Sequence, residues 1–325
     1  IRPEIAAMQR TAKALAALDC LTGLSRAALK DRYVRPQITN SREGRISIHD
    51  GRHPMVEHAL KREMFVPNDT ELNHTDQEMI IITGPNMAGK STYMRQVAVL
   101  TIMAQTGSFI PAKSASFAPV DRIFTRVGAA DDISTGQSTF MVEMKEVSHI
   151  LCNATKNSLI LLDEIGRGTS TYDGMSIARA VVEYLNSKVH AYTLFATHYH
   201  ELSDMAAENE HIKNYTVTVK ERGKEITFLR RIVPGSADKS YGIHVARLAG
   251  LPESLLKRAD EILEGLEVEG IKEEPAAPVI RRETALNLFS SPIIDELADL
   301  DVMSKTPIEA MEILFRLSKE AKEGR

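Results

Sequence analysis

The sequence has few cysteines, no long apolar run and no excess of positive charge. Its two cysteines, Cys20 and Cys152, lie far apart and lack the spacing of metal ligands. A disulfide framework or a zinc site is therefore not expected, and a reducing cytoplasm fits this composition. No apolar run approaches the length of a transmembrane helix, and the first residues lack a signal-peptide pattern. We therefore expect a cytoplasmic protein with no membrane partner.

The charge balance limits the partners that the chain can attract by itself. The sequence has 40 lysines and arginines against 44 aspartates and glutamates, so its net charge is −4. Because nucleic acids bind basic surfaces, any DNA contact must come from local patches or from segments absent from this sequence. A chain of 325 residues can bury a substantial core, and its length suggests two or three structural units. It begins with Ile1 in what reads as a helix, so we expect a fragment of a longer protein.

A glycine-rich loop between a strand and a helix is the strongest chemical feature. The apolar run at residues 80–82 predicts a buried strand, and residues 84–91 fit the pattern Gly-x-x-x-x-Gly-Lys-Ser. Apolar residues spaced three and four apart predict the helix that follows. In such a loop, glycines let successive N–H groups point at phosphate oxygens, and the helix start adds the positive end of its dipole. The pattern predicts that Lys90 reaches the β- and γ-phosphates of a nucleotide and that Ser91 binds magnesium.

The predicted nucleotide-binding residues of this loop are Gly84, Pro85, Asn86, Met87, Ala88, Gly89, Lys90, Ser91 and Thr92.

Two adjacent carboxylates end a second apolar run. Residues 159–162 are all apolar, which predicts a strand buried on both faces, as in a parallel sheet. That strand would deliver Asp163 and Glu164 to the carboxyl edge of the sheet, where ligands of α/β sheets bind. Asp163 would hold magnesium directly or through water, and Glu164 would orient and deprotonate a water that attacks the γ-phosphate. The alternative is a surface Asp-Glu pair that only ends a strand.

A histidine follows a third predicted strand, residues 193–196. Because His198 would lie at the carboxyl end of a central strand, it could sense or stabilise the γ-phosphate. The alternative is a histidine that is capped or packed in the core.

The other patterns predict packing elements. The predicted elements are an amphipathic helix at 5–21, strands at 45–48 and 121–127, and a β-hairpin at 215–219 and 226–229. Phe65 and the methionines of the helix that includes Met141 are most simply core residues. Residues 128–140 form a small-residue, polar stretch that is typical of a functional loop. Residues 240–266 predict a helix-turn-helix, a shape that serves either DNA reading or a dimer contact.

The C-terminal part has a different character. Residues 267–282 are acidic and rich in proline and alanine, which predicts a flexible linker. The apolar motif at residues 285–289 is either the edge of a next domain or a docking peptide. Two short helices are predicted after it, and the second begins with a capping box at residues 306–309. Because two short helices cannot bury a core alone, we expect this end to associate with a copy of itself.

Several long runs of this sequence resemble the MutS family of mismatch-repair ATPases. The runs are residues 83–96, 122–132, 138–144, 163–174 and 195–199. They are far more family-specific than a generic phosphate loop, and a thinner resemblance extends over nearly the whole chain. The resemblance implies an α/β fold of the P-loop NTPase, ABC type, with a mixed or parallel sheet flanked by helices. It also implies an ATPase that uses ATP and Mg²⁺ and acts as a dimer.

The resemblance also implies a domain organisation. The implied parts are the end of a lever-helix domain at 1–38, an ATPase domain at 39–239, a dimerisation segment at 240–266, a flexible linker at 267–290 and a small helical oligomerisation module at 291–325.

Residue roles follow from the resemblance at matching positions. In this family each ATP site joins the phosphate loop of one subunit to a signature loop of the other. The matching signature-loop residues here are Ser134, Gly136 and Ser138. Asn86 matches a position that helps to place the γ-phosphate or its water, and His198 matches a switch histidine. Phe65 matches the residue that stacks on adenine, so its interpretation as a core residue becomes the alternative.

The resemblance implies several partners. It implies dimerisation through the ATPase domain and residues 240–266, tetramer formation through residues 306–317, a MutL-type partner, and mismatched DNA bound by the full-length protein in the bacterial nucleoid. Residues 285–289 resemble a peptide that docks on the replicative sliding clamp, but Ala285 replaces its glutamine. The family reads mismatches with a Phe-x-Glu motif, and no phenylalanine here is followed two residues later by glutamate. We therefore expect this chain to hydrolyse ATP without recognising a mismatch by itself.

Three alternative functions remain at the sequence level. The MutS-like branch that acts against recombination would be expected to continue into a nuclease-like domain, whereas this chain ends in the tetramer-type module. Chromosome-maintenance and transporter ATPases carry a Leu-Ser-Gly-Gly-Gln signature, which differs from residues 134–138. A nucleotide-gated dimer scaffold with incidental turnover would use the same residues as the ATPase.

Overall fold

The computed structural model describes residues 4–40, 44–60, 64–85, 88–128, 138–222, 225–236 and 241–270. The chain forms two compact units, Ile1–Glu261 and Ile262–Arg325. Of the second unit, only residues 262–270 are described, and they are helical. The predicted clamp-docking motif at 285–289 and the oligomerisation module at 291–325 therefore lie outside the described residues.

The described residues contain both helices and strands. The helices are α1 (Ile5–Lys30), α2 (Pro54–Ala59), α3 (Lys90–Gln105), α4 (Thr139–Asn153), α5 (Thr171–Tyr184), α6 (Met205–Glu208), α7 (Gly242–Leu248) and α8 (Glu253–Gly270). The strands are β1 (Gln37–Ile38), β2 (Arg45–Gly51), β3 (Asn68–Asn73), β4 (Met79–Thr83), β5 (Ser114–Phe117), β6 (Ile123–Arg126), β7 (Leu159–Asp163), β8 (Tyr192–Ala196), β9 (Ile212–Arg222) and β10 (Glu225–Pro234). A π-helical turn at Leu185–Val189 extends α5, and a 3₁₀ turn at His200–Asp204 precedes α6.

A six-stranded sheet in the order β10-β9-β4-β8-β7-β6 forms the centre of the first unit. Its strands from β9 to β6 are mutually parallel, and β10 pairs antiparallel with β9 as the predicted hairpin. Because β8 lies between β4 and β7, the three predicted buried strands are immediate neighbours. The predicted mixed α/β fold is confirmed.

The central strands are buried on both faces, as their apolar sequences predict. Ile80 and Ile82 of β4 pack into one apolar core together with Tyr93 and Val97 of α3. Met79 and Ile81 of the same strand pack into a second core with residues of α4 and α5. Full burial of one such side chain stabilises the fold by about 1.5–3 kcal/mol, so these strands anchor the loops that follow them.

A second sheet covers the side of α3 and was not predicted. Its strand order is β1-β5-β2-β3, and only part of β2 was expected from the sequence. Ile46, Leu72 and Phe117 of this sheet are fully buried in the same core as α3. The sheet therefore holds the helix that follows the glycine-rich loop.

Three sequence expectations need correction. Helix α1 extends past the predicted residue 21 to Lys30, and none of its residues is buried. Met141 is 50% exposed, so it is not a core residue, whereas Met144 packs at the edge of a core. Helix α8 ends at Gly270, so residues 267–270 of the predicted linker are helical.

No described helix is long and apolar enough to cross a membrane.

Candidate functional site

The three central strands deliver their following residues to one edge of the sheet. Ile82 of β4 and Asp163 of β7 both pair in register with Ala196 of β8. The ladder continues one step further, because Thr197 N–H donates to Ile82 O at 3.1 Å and Glu164 N–H donates to Ala196 O at 2.9 Å. The glycine-rich loop, the two carboxylates and His198 therefore leave the sheet side by side.

The glycine-rich loop needs glycine at both ends. Gly84 has φ +131° and Gly89 has φ +108°, a left-handed region that side chains with Cβ avoid. Gly89 is the N-cap of α3, so Lys90, Ser91 and Thr92 form the first helical turn, where N–H groups lack helical partners. Pro85 and the buried Ala88 lie between the two glycines, whereas Asn86 and Met87 lie outside the described residues.

The Lys90 side chain lies beneath this loop. It is 4% exposed, and its Nζ donates to Gly84 O at 2.5 Å and to Pro85 O at 3.0 Å. Burial lowers the pKa of the Lys90 ammonium, while the nearby carboxylates of Glu164 and Asp163 oppose that shift. Their attraction favours a charged ammonium at the loop, which can attract an anionic ligand.

Asp163 offers a cation ligand. The residue is 9% exposed, and its buried Oδ1 has no hydrogen-bond partner within the described part of the chain. Burying a carboxylate oxygen without a donor is costly, and a bound cation would remove that cost. Carboxylate and hydroxyl oxygens are the hard ligands that Mg²⁺ prefers, so Asp163 and Ser91 together fit this ion.

Glu164 has a strained backbone. Its φ is +58°, in the left-handed region that costs a residue with Cβ on the order of 1–3 kcal/mol, and such strained residues cluster at functional sites. Its carboxylate is 22% exposed and pairs with Arg167, with Nη1 and Oε2 2.6 Å apart. The ion pair keeps this carboxylate near the edge where Lys90 lies.

The turn after Glu164 is held by two side chains that sequence reasoning missed. Gly166 N–H donates to Glu143 Oε1 at 2.6 Å, and Gly166 O accepts from the Tyr199 hydroxyl at 3.1 Å. Glu143 belongs to the run at 138–144 but received no role. Its position four residues before the buried Val147 of α4 was the available sequence signal.

His198 lies directly after β8 and packs at a tilt on Tyr199, with ring centroids 4.1 Å apart. Burial lowers its pKa, and the positive charges of Arg167 and Lys90 lower it further. A neutral imidazole is therefore favoured at neutral pH. Its buried Nδ1 has no hydrogen-bond partner among the described residues. The imidazole can therefore form a further hydrogen bond at the sheet edge where β4 and β7 also end.

Ser138 is exposed at the start of α4. It is the N-cap, and its hydroxyl accepts from Met141 N–H at 3.2 Å. Ser134 and Gly136, the other predicted signature-loop residues, lie outside the described residues.

Phe65 lines a cavity of about 240 Å³ beside the loop. The half-buried phenylalanine shares this cavity with Gly89, Thr92 and Arg230. Arg230 was missed by sequence reasoning, because only the β-bulge between Phe228 and Ile232 of β10 brings it there with φ +56°. Two larger clefts, of about 670 and 800 Å³, are lined by other residues near the end of α1 and near β1.

The fold and site together define an α/β protein with a glycine-rich loop, two carboxylates and a histidine at one sheet edge. Residues 80–267 match the family model described as MutS domain V. The chain is 51% identical to the DNA mismatch repair protein MutS of Acetivibrio thermocellus, over 99% of this chain and 38% of that protein. It is 54% identical to the protein of the same name from Caldicellulosiruptor bescii and 52% identical to that from Methanococcoides burtonii, over 98% of this chain and 38% of each relative. The chain belongs to the MutS family, as the sequence runs predicted, and it spans about 38% of the length of these relatives.

Proposed function

We propose that this chain binds ATP with Mg²⁺ and hydrolyses it to ADP and phosphate, as an ABC-type P-loop ATPase within a DNA mismatch-repair protein. The observation that carries the proposal is the shared register of β4, β8 and β7. It brings the loop of Lys90, the carboxylates of Asp163 and Glu164, and His198 to one edge. Membership of the MutS family supports the same function.

Each group has a distinct proposed role. The loop N–H groups and the Lys90 ammonium bind the β- and γ-phosphates, and Phe65 stacks on the adenine in the adjoining cavity. Ser91 and Asp163 hold Mg²⁺, which when bound neutralises charge on the phosphate oxygens. Asn86 is proposed to help to place the γ-phosphate or its water, on the basis of the family resemblance alone.

Hydrolysis needs a positioned water and a proton acceptor. We assign the proton acceptor to Glu164, whose carboxylate lies at the loop edge in an ion pair with Arg167. His198 is proposed to contact the γ-phosphate as a neutral imidazole, because its lowered pKa favours that form. The water oxygen attacks the γ-phosphorus while its proton passes to Glu164, and the bond between the γ-phosphorus and the β,γ-bridging oxygen breaks. ADP is then the leaving group, phosphate is the other product, and Lys90 compensates the negative charge that develops on the β-phosphate.

The site is proposed to be completed by a second copy of the chain. Ser138, with the loop containing Ser134 and Gly136, would contact the γ-phosphate bound by the partner subunit. The exposed position of Ser138 at the N-terminus of α4 supports this role, because helix N-termini attract anions. Binding of mismatched DNA, a MutL-type protein and a sliding clamp are further proposals for the full-length protein.

The test is single-turnover ATP hydrolysis by Glu164→Gln. Glutamine keeps the size of the side chain but cannot accept the proton, so the rate should fall by at least roughly a hundredfold. ATP affinity should stay near that of the wild type, whereas Lys90→Ala should weaken ATP binding itself. Unchanged hydrolysis by Glu164→Gln would show that turnover does not use this carboxylate.

A further inference from the structure

Glu143 is a buried carboxylate placed between two donors. The residue is 5% exposed on α4, and its Oε1 accepts the Gly166 N–H at 2.6 Å. Its Oε2 lies 3.2 Å from Arg126 Nη2, and Arg126 is itself 6% exposed. Arg126 also forms an ion pair with the half-exposed Glu146, with Nε and Oε2 3.0 Å apart. The buried negative charge of Glu143 is thus compensated by these donors. The same carboxylate contacts the backbone of the turn after β7.

That turn has little freedom. A Cβ at Gly166 would lie 2.5 Å from Gly174 O, so α5 blocks movement on that side. The Gly166 carbonyl accepts from the Tyr199 hydroxyl at 3.1 Å. Two residues earlier, the Glu164 N–H donates to Ala196 O at 2.9 Å. The backbone that carries Glu164 is therefore held by β8, by Tyr199 and by Glu143.

We propose that Glu143 is a positioning residue, which holds Gly166 so that Glu164 keeps its left-handed backbone and its aim at the bound nucleotide. This inference rests on the proposed function, in which Glu164 is the proton acceptor. Because Glu143 and Ser138 lie within one turn and a half of the same helix, a shift of the α4 N-terminus moves Gly166 and with it Glu164. The carboxylate of Glu143 in this way links the proposed contact at Ser138 to the proposed proton acceptor, Glu164.

A buried ion pair is weak evidence for stability in itself. Replacing a buried Arg–Glu pair by apolar side chains of similar length is often neutral or stabilising, because two charges no longer have to be desolvated. Removing one partner alone leaves an uncompensated charge and is destabilising. A test of Glu143 must therefore remove both charges together.

Two double variants of the full chain isolate the contact to Gly166. Both carry Arg126→Met, and they differ only in having Glu143→Gln or Glu143→Met. The glutamine oxygen can still accept the Gly166 N–H, whereas methionine cannot. We expect the glutamine variant to keep single-turnover hydrolysis within about threefold of wild type and the methionine variant to lose about tenfold or more. ATP affinity should stay near the wild-type value in both, whereas the methionine variant should melt at a lower temperature than the glutamine variant, because the buried Gly166 N–H loses its acceptor.

Glu146→Met is the matched control. Glu146 is on the same helix and contacts the same arginine, but Arg126 is its only ion-pair partner among the described residues, and its side chain is 48% exposed. Its removal should leave hydrolysis unchanged. Equal rates for the glutamine and methionine double variants would overturn the inference.

A cycle with Glu164→Gln separates a positioning role from a general structural one. If Glu143 acts through Glu164, the two double variants should hydrolyse ATP equally once Glu164 is replaced. The same tenfold difference in that background would show an independent effect and overturn the inference. If Glu164→Gln alone leaves the wild-type rate unchanged, the assignment of Glu164 as proton acceptor fails instead, and absence of ATP hydrolysis by the wild-type protein would overturn the proposed function itself.

Tyr199→Phe provides a second measurement if the methionine variant does not fold. It removes only the hydroxyl that donates to Gly166 O, in the peptide group on the other side of the same residue. We expect a severalfold lower hydrolysis rate with unchanged ATP affinity. An unchanged rate would contradict the proposal that the Gly166 backbone positions Glu164.

Discussion

Asp163 and Glu164 are chain neighbours, yet their surroundings differ. Asp163 ends β7 with a buried oxygen that no described donor satisfies, whereas Glu164 has a left-handed backbone and an ion pair with Arg167. The first environment suits the cation ligand that we propose, and the second fits the proton acceptor that we propose. Asp163 and Glu164 are adjacent in the sequence but have different proposed roles, because β7 ends between them.

Asp163→Asn should weaken magnesium binding without abolishing nucleotide binding. Asparagine is nearly the same size, but it loses the negative charge and thereby much of its attraction for a hard cation. The Mg²⁺ concentration for half-maximal hydrolysis should rise by about tenfold or more. Titration of Mg²⁺ at saturating ATP measures this value.

Binding of ATP without Mg²⁺ serves as the control for Asp163→Asn, because that complex does not use the metal ligand. It should be equal in the variant and the wild type. An unaltered Mg²⁺ dependence would remove Asp163 from the metal site.

At the scale of elements, α4 connects two parts of the proposed mechanism. Its N-cap Ser138 is exposed, while Glu143 one turn later is buried against the turn after β7. A contact made at the exposed end of α4 can therefore affect the turn after β7 in the interior of the same subunit. Exposure of its first residues is what an intersubunit site requires.

Mixing two inactive variants tests whether Ser138 acts on the partner's nucleotide. Ser138→Ala and Lys90→Ala should each fail to hydrolyse ATP as pure proteins. A mixed dimer holds one intact site, made from the Lys90 loop of one subunit and Ser138 of the other. Random pairing should restore roughly a quarter of the wild-type rate, because half of the dimers contain one good site out of two. Steady-state phosphate release measures the recovery.

The control mixes Lys90→Ala with Glu164→Gln. Both changes affect the loop side of a site, so no mixed dimer contains an intact site and no recovery is expected. Absence of recovery in the Ser138 mixture, with dimers demonstrated, would place Ser138 outside the partner's site.

At the scale of the whole molecule, buried histidines make stability depend on pH. Burial lowers the pKa of His53, His74 and His198. In the unfolded chain a histidine takes up its proton near pH 6.5. Just below that pH the unfolded state binds more protons than the folded state, so acid favours unfolding.

We therefore expect the free energy of unfolding to fall as the pH is lowered from 7.5 to 5.5, through the ordinary histidine pKa of about 6.5. Urea denaturation at the two pH values measures the change. His74→Phe should flatten the dependence, because phenylalanine can keep the ring contact to Tyr192, whose centroid is 4.3 Å away, but cannot titrate. Greater stability at pH 5.5 than at pH 7.5 would contradict the prediction.

Local sequence determined the central strands, the helices between them and the chemistry at their ends. The strands of residues 80–82, 159–162 and 193–196 were predictable because each is short, wholly apolar and followed by polar or glycine residues. The loop of residues 84–91 was equally evident, because left-handed turns require glycine at fixed positions. Membership of the MutS family was likewise evident from the longer runs.

Tertiary structure decided which of these residues meet. The order β4-β8-β7, the second sheet over α3, the bulge that places Arg230 and the contact from Glu143 to Gly166 all join residues distant in the chain. Sequence periodicity reports which face of an element is apolar, but not which other element covers it. Glu143 contacts Arg126 at the end of β6 and Gly166 in the turn after β7, and its role therefore became visible only in the folded chain.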